Sequence, residues 1–298
     1  MKKSIILAMV VMMVMASCES GITEEAATSA KTAKVHVNLS GFKIETTTRT
    51  TTADSVGVTG IAFAVIDQQG QIIDSVQQAK GSEGFDSVSF ELTEGTYTFV
   101  AEAHIVSNLA SISVSDGKAL ATIKNDAVYD IYTASEQVTV KAGEDINLRM
   151  TLSRITAQLS LVTSDSQPKG VKKLQFFIGD TTKTAYSAFS IDLATGTMDG
   201  FGITGHLKRE WGRTSKDTCK ATTQDCSLLL AAVEQSLPVK IVVRGDADSI
   251  LYSHAIDSVP FKQNCKTTIT GKLYTTKKDC KSTFEFDTVW KDTIYGDW

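Results

Sequence analysis

The residues here that could do chemistry are the cysteines. Cys219, Cys226, Cys265 and Cys280 all lie in the last 80 residues, with six residues between the first two and fourteen between the last two. Neither spacing is the C-x-x-C of a zinc site, so a four-cysteine metal centre is the less favoured reading. In an oxidising compartment such thiols become disulfides. Three connectivities are open, and the sequential one, Cys219–Cys226 with Cys265–Cys280, is favoured because each loop is short. The histidines His36, His104, His206 and His254 have no i, i+4 pairing and no H-E-x-x-H. His36 alternates with Val35 and Val37 and belongs on the wet face of a strand. Neither a G-x-S-x-G elbow nor a P-loop is present. Asp246-Ala247-Asp248 has two oxygens of a calcium loop without the rest, and reads as a turn. Catalysis, a metal and a cofactor are therefore not expected.

Cys18 is a different case, because of what precedes it. Lys2 and Lys3 are followed by an apolar run from Ile5 to Met15 and then Ala16-Ser17-Cys18. A short basic stretch, an apolar segment and small residues make a secretory signal over residues 1–17. The run is shorter than the roughly 20 apolar residues that span a bilayer. With Cys directly after Met15-Ala16-Ser17, the segment resembles a bacterial lipobox. That resemblance implies a diacylglycerol on Cys18, which becomes the acylated, palmitate-bearing N-terminus after cleavage. Several acyl chains hold firmly, at about 0.8 kcal/mol per buried CH2. An ordinary signal with a chance cysteine is the alternative. The expected location is the outer membrane, lipid-anchored and surface-exposed. A net charge of -4 and a pI near 5.6 give no footprint for nucleic acid.

The elements that must carry these residues are strands. Residues 18–33 are mostly Glu, Thr, Ala and Ser and read as a flexible stalk. Val35, Val37 and Leu39 alternate with polar residues as a half-buried strand does. Ile61-Ala62-Phe63-Ala64-Val65-Ile66 is apolar throughout, a strand covered on both faces, and Asp67 to Gly70 is its turn. Val88, Phe90 and Leu92 alternate, and Gly95-Thr96-Tyr97-Thr98-Phe99-Val100 opens the next strand. Ser115 to Tyr132 is the only stretch of this half that reads as a helix or long loop. Leu174 to Asp180 echoes Ile61 to Asp67, and Leu237 to Val243 echoes Gly95 to Val100. Two cycles predict an all-β chain of two tandem β-sandwiches, residues 34–151 and 152–298.

Five places carry a family resemblance. They are the lipobox, Ile61 to Asp67 with Gly70, the phrase Glu94-Gly95-Thr96-Tyr97-Thr98-Phe99, the junction Leu152-Ser153-Arg154-Ile155-Thr156-Ala157-Gln158-Leu159, and Lys266-Thr267-Thr268-Ile269-Thr270-Gly271-Lys272-Leu273-Tyr274. In this order they resemble the fimbrillins and fimbrial-anchor lipoproteins of Bacteroidetes-type bacteria, which build type V pili. The resemblance implies transthyretin-like sandwiches and a role in fimbria assembly or adhesion. It also implies other subunits as partners by strand addition, with a host or bacterial surface ligand as a further partner. Arg49 follows the first strand in a Thr-rich connector. In shaft fimbrillins an arginine there is cut, the strand leaves, and a donor strand from the next subunit replaces it. An ordinary loop with a stray Arg49 is the other reading, and an anchor or tip protein stays uncut. Trp211, amid Lys208-Arg209-Glu210 and Arg213, is either a contact residue or a ring covering a domain edge. The function expected is a lipid-anchored structural or adhesive component of a fimbria-like assembly, and not an enzyme. A surface glycan-binding lipoprotein is the alternative, ranked second because only Trp211, Trp290 and Trp298 are available as tryptophan platforms.

Overall fold

β-Branched runs punctuated by glycine and aspartate turns give strands almost everywhere in the computed structural model, which describes residues 31–43, 57–105, 110–123, 130–185, 189–199, 205–213, 223–274 and 285–287. In chain order the first half holds β1 (Ala33–Lys43), β2 (Gly60–Ile66), β3 (Ile72–Ala79), β4 (Ser87–Leu92), β5 (Gly95–His104), β6 (Ser111–Ser115), β7 (Lys118–Ile123), β8 (Ile131–Val140) and β9 (Asp145–Arg154). The second half opens with β10 (Ala157–Thr163), β11 (Lys173–Gly179), β12 (Phe189–Asp192), β13 (Thr197–Asp199) and β14 (His206–Gly212). It closes with β15 (Thr223–Leu228), β16 (Glu234–Arg244), β17 (Ile250–Lys262), β18 (Lys266–Gly271) and β19 (Glu285–Asp287). The chain is all-β, in several sheets.

Seven strands form one sheet in the order β3-β2-β5-β8-β9-β1-β4. β8 and β9 are joined only at Tyr132–Arg154 and Thr133–Ser153. The sheet turns at that seam into two layers, because the strands on either side share one core. Val35 and Val37 of β1, Phe90 of β4 and Met150 of β9 pack with Phe63 and Val65 of β2 and Phe99 of β5. Strand alternation accounts for this: one face of each strand is apolar and faces the other layer.

The second half repeats the order. β10 runs parallel to β18 and antiparallel to β15, as β1 runs parallel to β9 and antiparallel to β4. β11 lies between β14 and β16 as β2 lies between β3 and β5, and β17 flanks β16 as β8 flanks β5. β19 adds a strand beyond β18. Each cycle also carries an excursion, β6–β7 in the first and β12–β13 in the second. The two excursions pair with each other in a sheet of order β13-β12-β7-β6. That small sheet lies over the outward face of β2 and β5: Ala62, Ala64, Ile66 and Val100 share a core with Ala110, Ala121 and Ile191. β2 is consequently buried on both faces, as its unbroken apolar run requires.

One expectation fails here. The described residues of Ser115 to Tyr132 form a hairpin turn and strands, not one helix or one long loop. Asp116 and Gly117, at φ +50° and +73°, make a two-residue turn between β6 and β7, and β8 begins at Ile131. Asp-Gly is a strong hairpin signal because both central residues of such a turn need positive φ.

Candidate functional site: strand edges and an open sheet face

β1 is the element on which a tether or a strand exchange would act. Its alternation buries Ala33, Val35 and Val37, each no more than 1% exposed. Its backbone is paired on both sides, to β4 over Ala33–Asn38 and to β9 over Lys34–Lys43. On its other face His36 touches both neighbours, Nδ1 lying 2.7 Å from Ser89 Oγ and Nε2 lying 3.3 Å from Asp145. Taking β1 away would leave Phe90, Met150 and Leu152 without a cover. Cys18 and Arg49 lie outside the described residues.

Two of the late cysteines are placed. Cys226 stands opposite Leu159 of β10. On the far side of β10, the Gln158 N–H donates to the Cys265 carbonyl at 3.0 Å. Two strand spacings, about 9.5 Å, therefore separate the two. That exceeds the roughly 7 Å Cα limit for a disulfide, so Cys226 does not pair with Cys265. The sequential pairing and Cys219–Cys265 with Cys226–Cys280 stay open; Cys219 and Cys280 lie outside the described residues. Burial pushes the Cys226 thiol up to about 12, against a smaller opposing pull from Arg209.

The other candidates resolve into structure. His104 Nδ1 sits 2.8 Å from the Glu102 carboxylate, both side chains being fully buried. Burial raises the Glu102 pKa more than His104 lowers it. His206 Nδ1 donates to the Lys183 carbonyl at 3.0 Å and His254 Nε2 to the Leu273 carbonyl at 3.1 Å. Asp246 to Asp248 is the tip of the β16–β17 hairpin, with Ala247 and Asp248 at φ +50° and +59°. Its carboxylates face cations: Asp246 meets Lys172 at 3.4 Å, and Asp248 meets Arg244 at 3.3 Å and Lys173 at 3.6 Å. Trp211 is half-buried, its ring edge-on to Phe176 at a centroid distance of 4.9 Å, at the margin of the core. Gly200-Phe201-Gly202-Ile203-Thr204-Gly205 has the glycine spacing of a dinucleotide loop, but it leads into β14, a strand. That fingerprint needs a helix N-terminus to receive the pyrophosphate. None of these groups meets another in a catalytic arrangement.

The remaining open feature is the outward face of β14-β11-β16-β17. Its counterpart in the first half is roofed by the excursion sheet, whereas here charged side chains lie over the strands. Gln175 donates its amide to Glu210 and accepts from Arg244 Nε at 2.6 Å. The hydrogen bond from Gln175, then Lys173, holds the Glu210 carboxyl below its usual range. One strand register along, Phe177 stands opposite Lys208 on one side and Lys240 on the other.

Residues 17–297 match a family described as a family of unknown function, DUF6562. No curated protein matches the sequence. Among solved structures, the fold is similar to a candidate adhesin of Bacteroides thetaiotaomicron, with 14% identity and a TM-score of 0.55, over 88% of this chain and 99% of that one. A candidate polysaccharide-binding protein (DUF1812) of the same organism aligns at 12% identity and a TM-score of 0.54, covering 87% and 99%. The fimbrial anchor protein Mfa2 of Porphyromonas gingivalis aligns at 12% and 0.53, covering 86% and 97%. At such identities it is the fold that is shared.

Proposed function

We propose that this chain, which belongs to the DUF6562 family, is a lipid-anchored, non-enzymatic component of a fimbria-like surface assembly, acting as anchor, tip or minor subunit. The observation that carries the reading is the whole-length likeness in fold to a fimbrial anchor protein and a candidate adhesin. A fold hosts many functions, so the site has to agree with it. Agreement comes from β1, which lies inside its layer just behind the segment that bears Cys18. A lipid on Cys18 is useful only while that strand stays in place, which favours an uncut anchor or tip over a shaft subunit. The repeated strand order supports two transthyretin-like sandwiches, residues 34–151 and 152–298. Acylation of Cys18 would hold them at the cell surface; among the described residues no helix is long and apolar enough to cross a membrane.

Two measurements test this. Metabolic labelling with a fatty-acid analogue tags the wild type and not Cys18→Ala, and the variant leaves the outer-membrane fraction. Crosslinking on intact cells then captures other fimbrial subunits with the wild type. Labelled Cys18→Ala protein ends the lipid anchor, and a wild-type protein that crosslinks to no subunit ends the assembly role.

A further inference from the structure

The open face of the second sandwich carries a row built for one chemistry. Lys208 on β14, Phe177 on β11 and Lys240 on β16 are direct cross-strand partners, so their side chains stand in line on one face. The row continues to Ala255 of β17, a side chain too short to screen Lys240. Phe177 is half-buried, and the Lys208 Nζ lies over its ring, 6.0 Å from the centroid. Lys240 is exposed and meets no carboxylate among the described residues. Lys208 is only loosely held, 3.8 Å from a Glu210 that Lys173 approaches to 3.1 Å and Gln175 already engages. On a chain of net charge -4, this row leaves two lysines with charge to spare.

An aromatic ring with one ammonium resting on its face and a second lysine on the neighbouring strand, about 4.8 Å away in backbone spacing, suits a sugar that carries a carboxylate. The apolar face of the pyranose takes the place of the Lys208 ammonium on Phe177, and Lys208 and Lys240 reach the carboxylates of that residue or the next. We infer that the Lys208–Phe177–Lys240 row binds an acidic polysaccharide of the uronic-acid class. The equivalent face of the first half cannot do so, because Ala62, Ala64 and Val100 there are covered. The inference does not depend on lipidation or on fimbrial partners.

The test is binding of the full chain to polygalacturonate in about 50 mM salt, where exposed charges are still felt beyond about 10 Å. Uncharged dextran and dextran sulfate serve as controls. Retention on polygalacturonate and not on dextran is expected. Lys208→Gln and Lys240→Gln should each weaken it about two- to fivefold, the range of exposed ion pairs. Phe177→Leu keeps the apolar volume and loses the ring, and should abolish retention with an unchanged circular dichroism spectrum. Absence of retention by the wild type overturns the inference. So does a wild type held equally by dextran sulfate with Phe177→Leu unaffected, which marks unspecific charge attraction.

Discussion

Removing the carboxylate of Asp130 should unbalance the junction between the two halves, and the size of the effect follows from how that carboxylate is held. Asp130 and Arg154 are 5% and 6% exposed and meet at 3.1 Å. Arg154 also donates to the Tyr132 hydroxyl at 3.2 Å and lies 5.6 Å from that ring, and Thr156 donates to Asp130 at 3.3 Å. Even so, the Asp130 pKa is raised, because burial outweighs the lowering by Arg154, Thr156 and Tyr132. The two partners are therefore unequal. Asp130→Asn leaves a guanidinium that cannot give up its proton, and breaking a buried pair in this way costs about 3–5 kcal/mol. Arg154→Met leaves a carboxyl that can take up a proton, so the loss should be nearer 1–3 kcal/mol, that of an unsatisfied buried polar group. Thermal unfolding at pH 7 by circular dichroism should show Asp130→Asn melting about 6–20 °C lower, at 2–4 °C per kcal/mol. The double variant Asp130→Leu with Arg154→Met should recover most of that. If Arg154→Met melts below Asp130→Asn, or Asp130→Asn costs less than about 1 kcal/mol, the account of the junction fails.

Three further outcomes are expected. Glu102, like Asp130, has its folded pKa raised by burial above the ordinary value; the folded state then binds protons more tightly, and stability falls as pH rises from the ordinary carboxylate range through the raised values. Urea midpoints between pH 5 and 8 should trace that fall and Glu102→Gln should flatten it, whereas a rising midpoint untouched by the variant contradicts the sign. Cys219, Cys226, Cys265 and Cys280 should be oxidised in protein from the envelope, stabilising the second half by roughly 2–4 kcal/mol; because the Cys226 thiol is buried, alkylation must be read after unfolding without reductant, and a Cys226–Cys265 peptide in the mass spectrum would overturn the strand placement. Limited trypsin treatment should cut first near Arg49 and destabilise the first sandwich without producing ladder-like oligomers, and Arg49→Ala should resist it; ladders would make the protein a shaft subunit.

Much of this fold is legible where a strand's own side chains announce its surroundings. Val35 and Val37 alternate into the core, and Ile61 to Ile66 is apolar on both faces because a second sheet lies over it. The two echoes of the sequence, Leu174 with Ile61 and Leu237 with Gly95, fall on β11 with β2 and β16 with β5, strands holding the same places in the two cycles. The excursion sheet escapes such reading. Its central pairing joins Ile123 to Phe189 and Leu120 to Asp192, partners too far apart in the chain for local periodicity to relate. Asp116-Gly117 was the available signal for its first hairpin. The row on the open face is hidden for the same reason: Lys208, Phe177 and Lys240 become neighbours only through strand register.

The pairing of β1 also decides how the molecule bears a load. β1 is parallel to β9, and β9 leads on through Arg154 to the second half. A pull applied ahead of Ala33 and resisted beyond Arg154 draws the two strands past one another along their length. The ladder from Lys34–Asp145 to Lys43–Ser153 then takes the strain in shear, all its hydrogen bonds together, while β4 grips the other edge. Had β1 sat antiparallel to the strand that leaves the sandwich, the same pull would peel the bonds open one at a time. The order of strands thus makes a mechanical clamp of the first element in the fold, at the end where a tethered protein feels flow or traction.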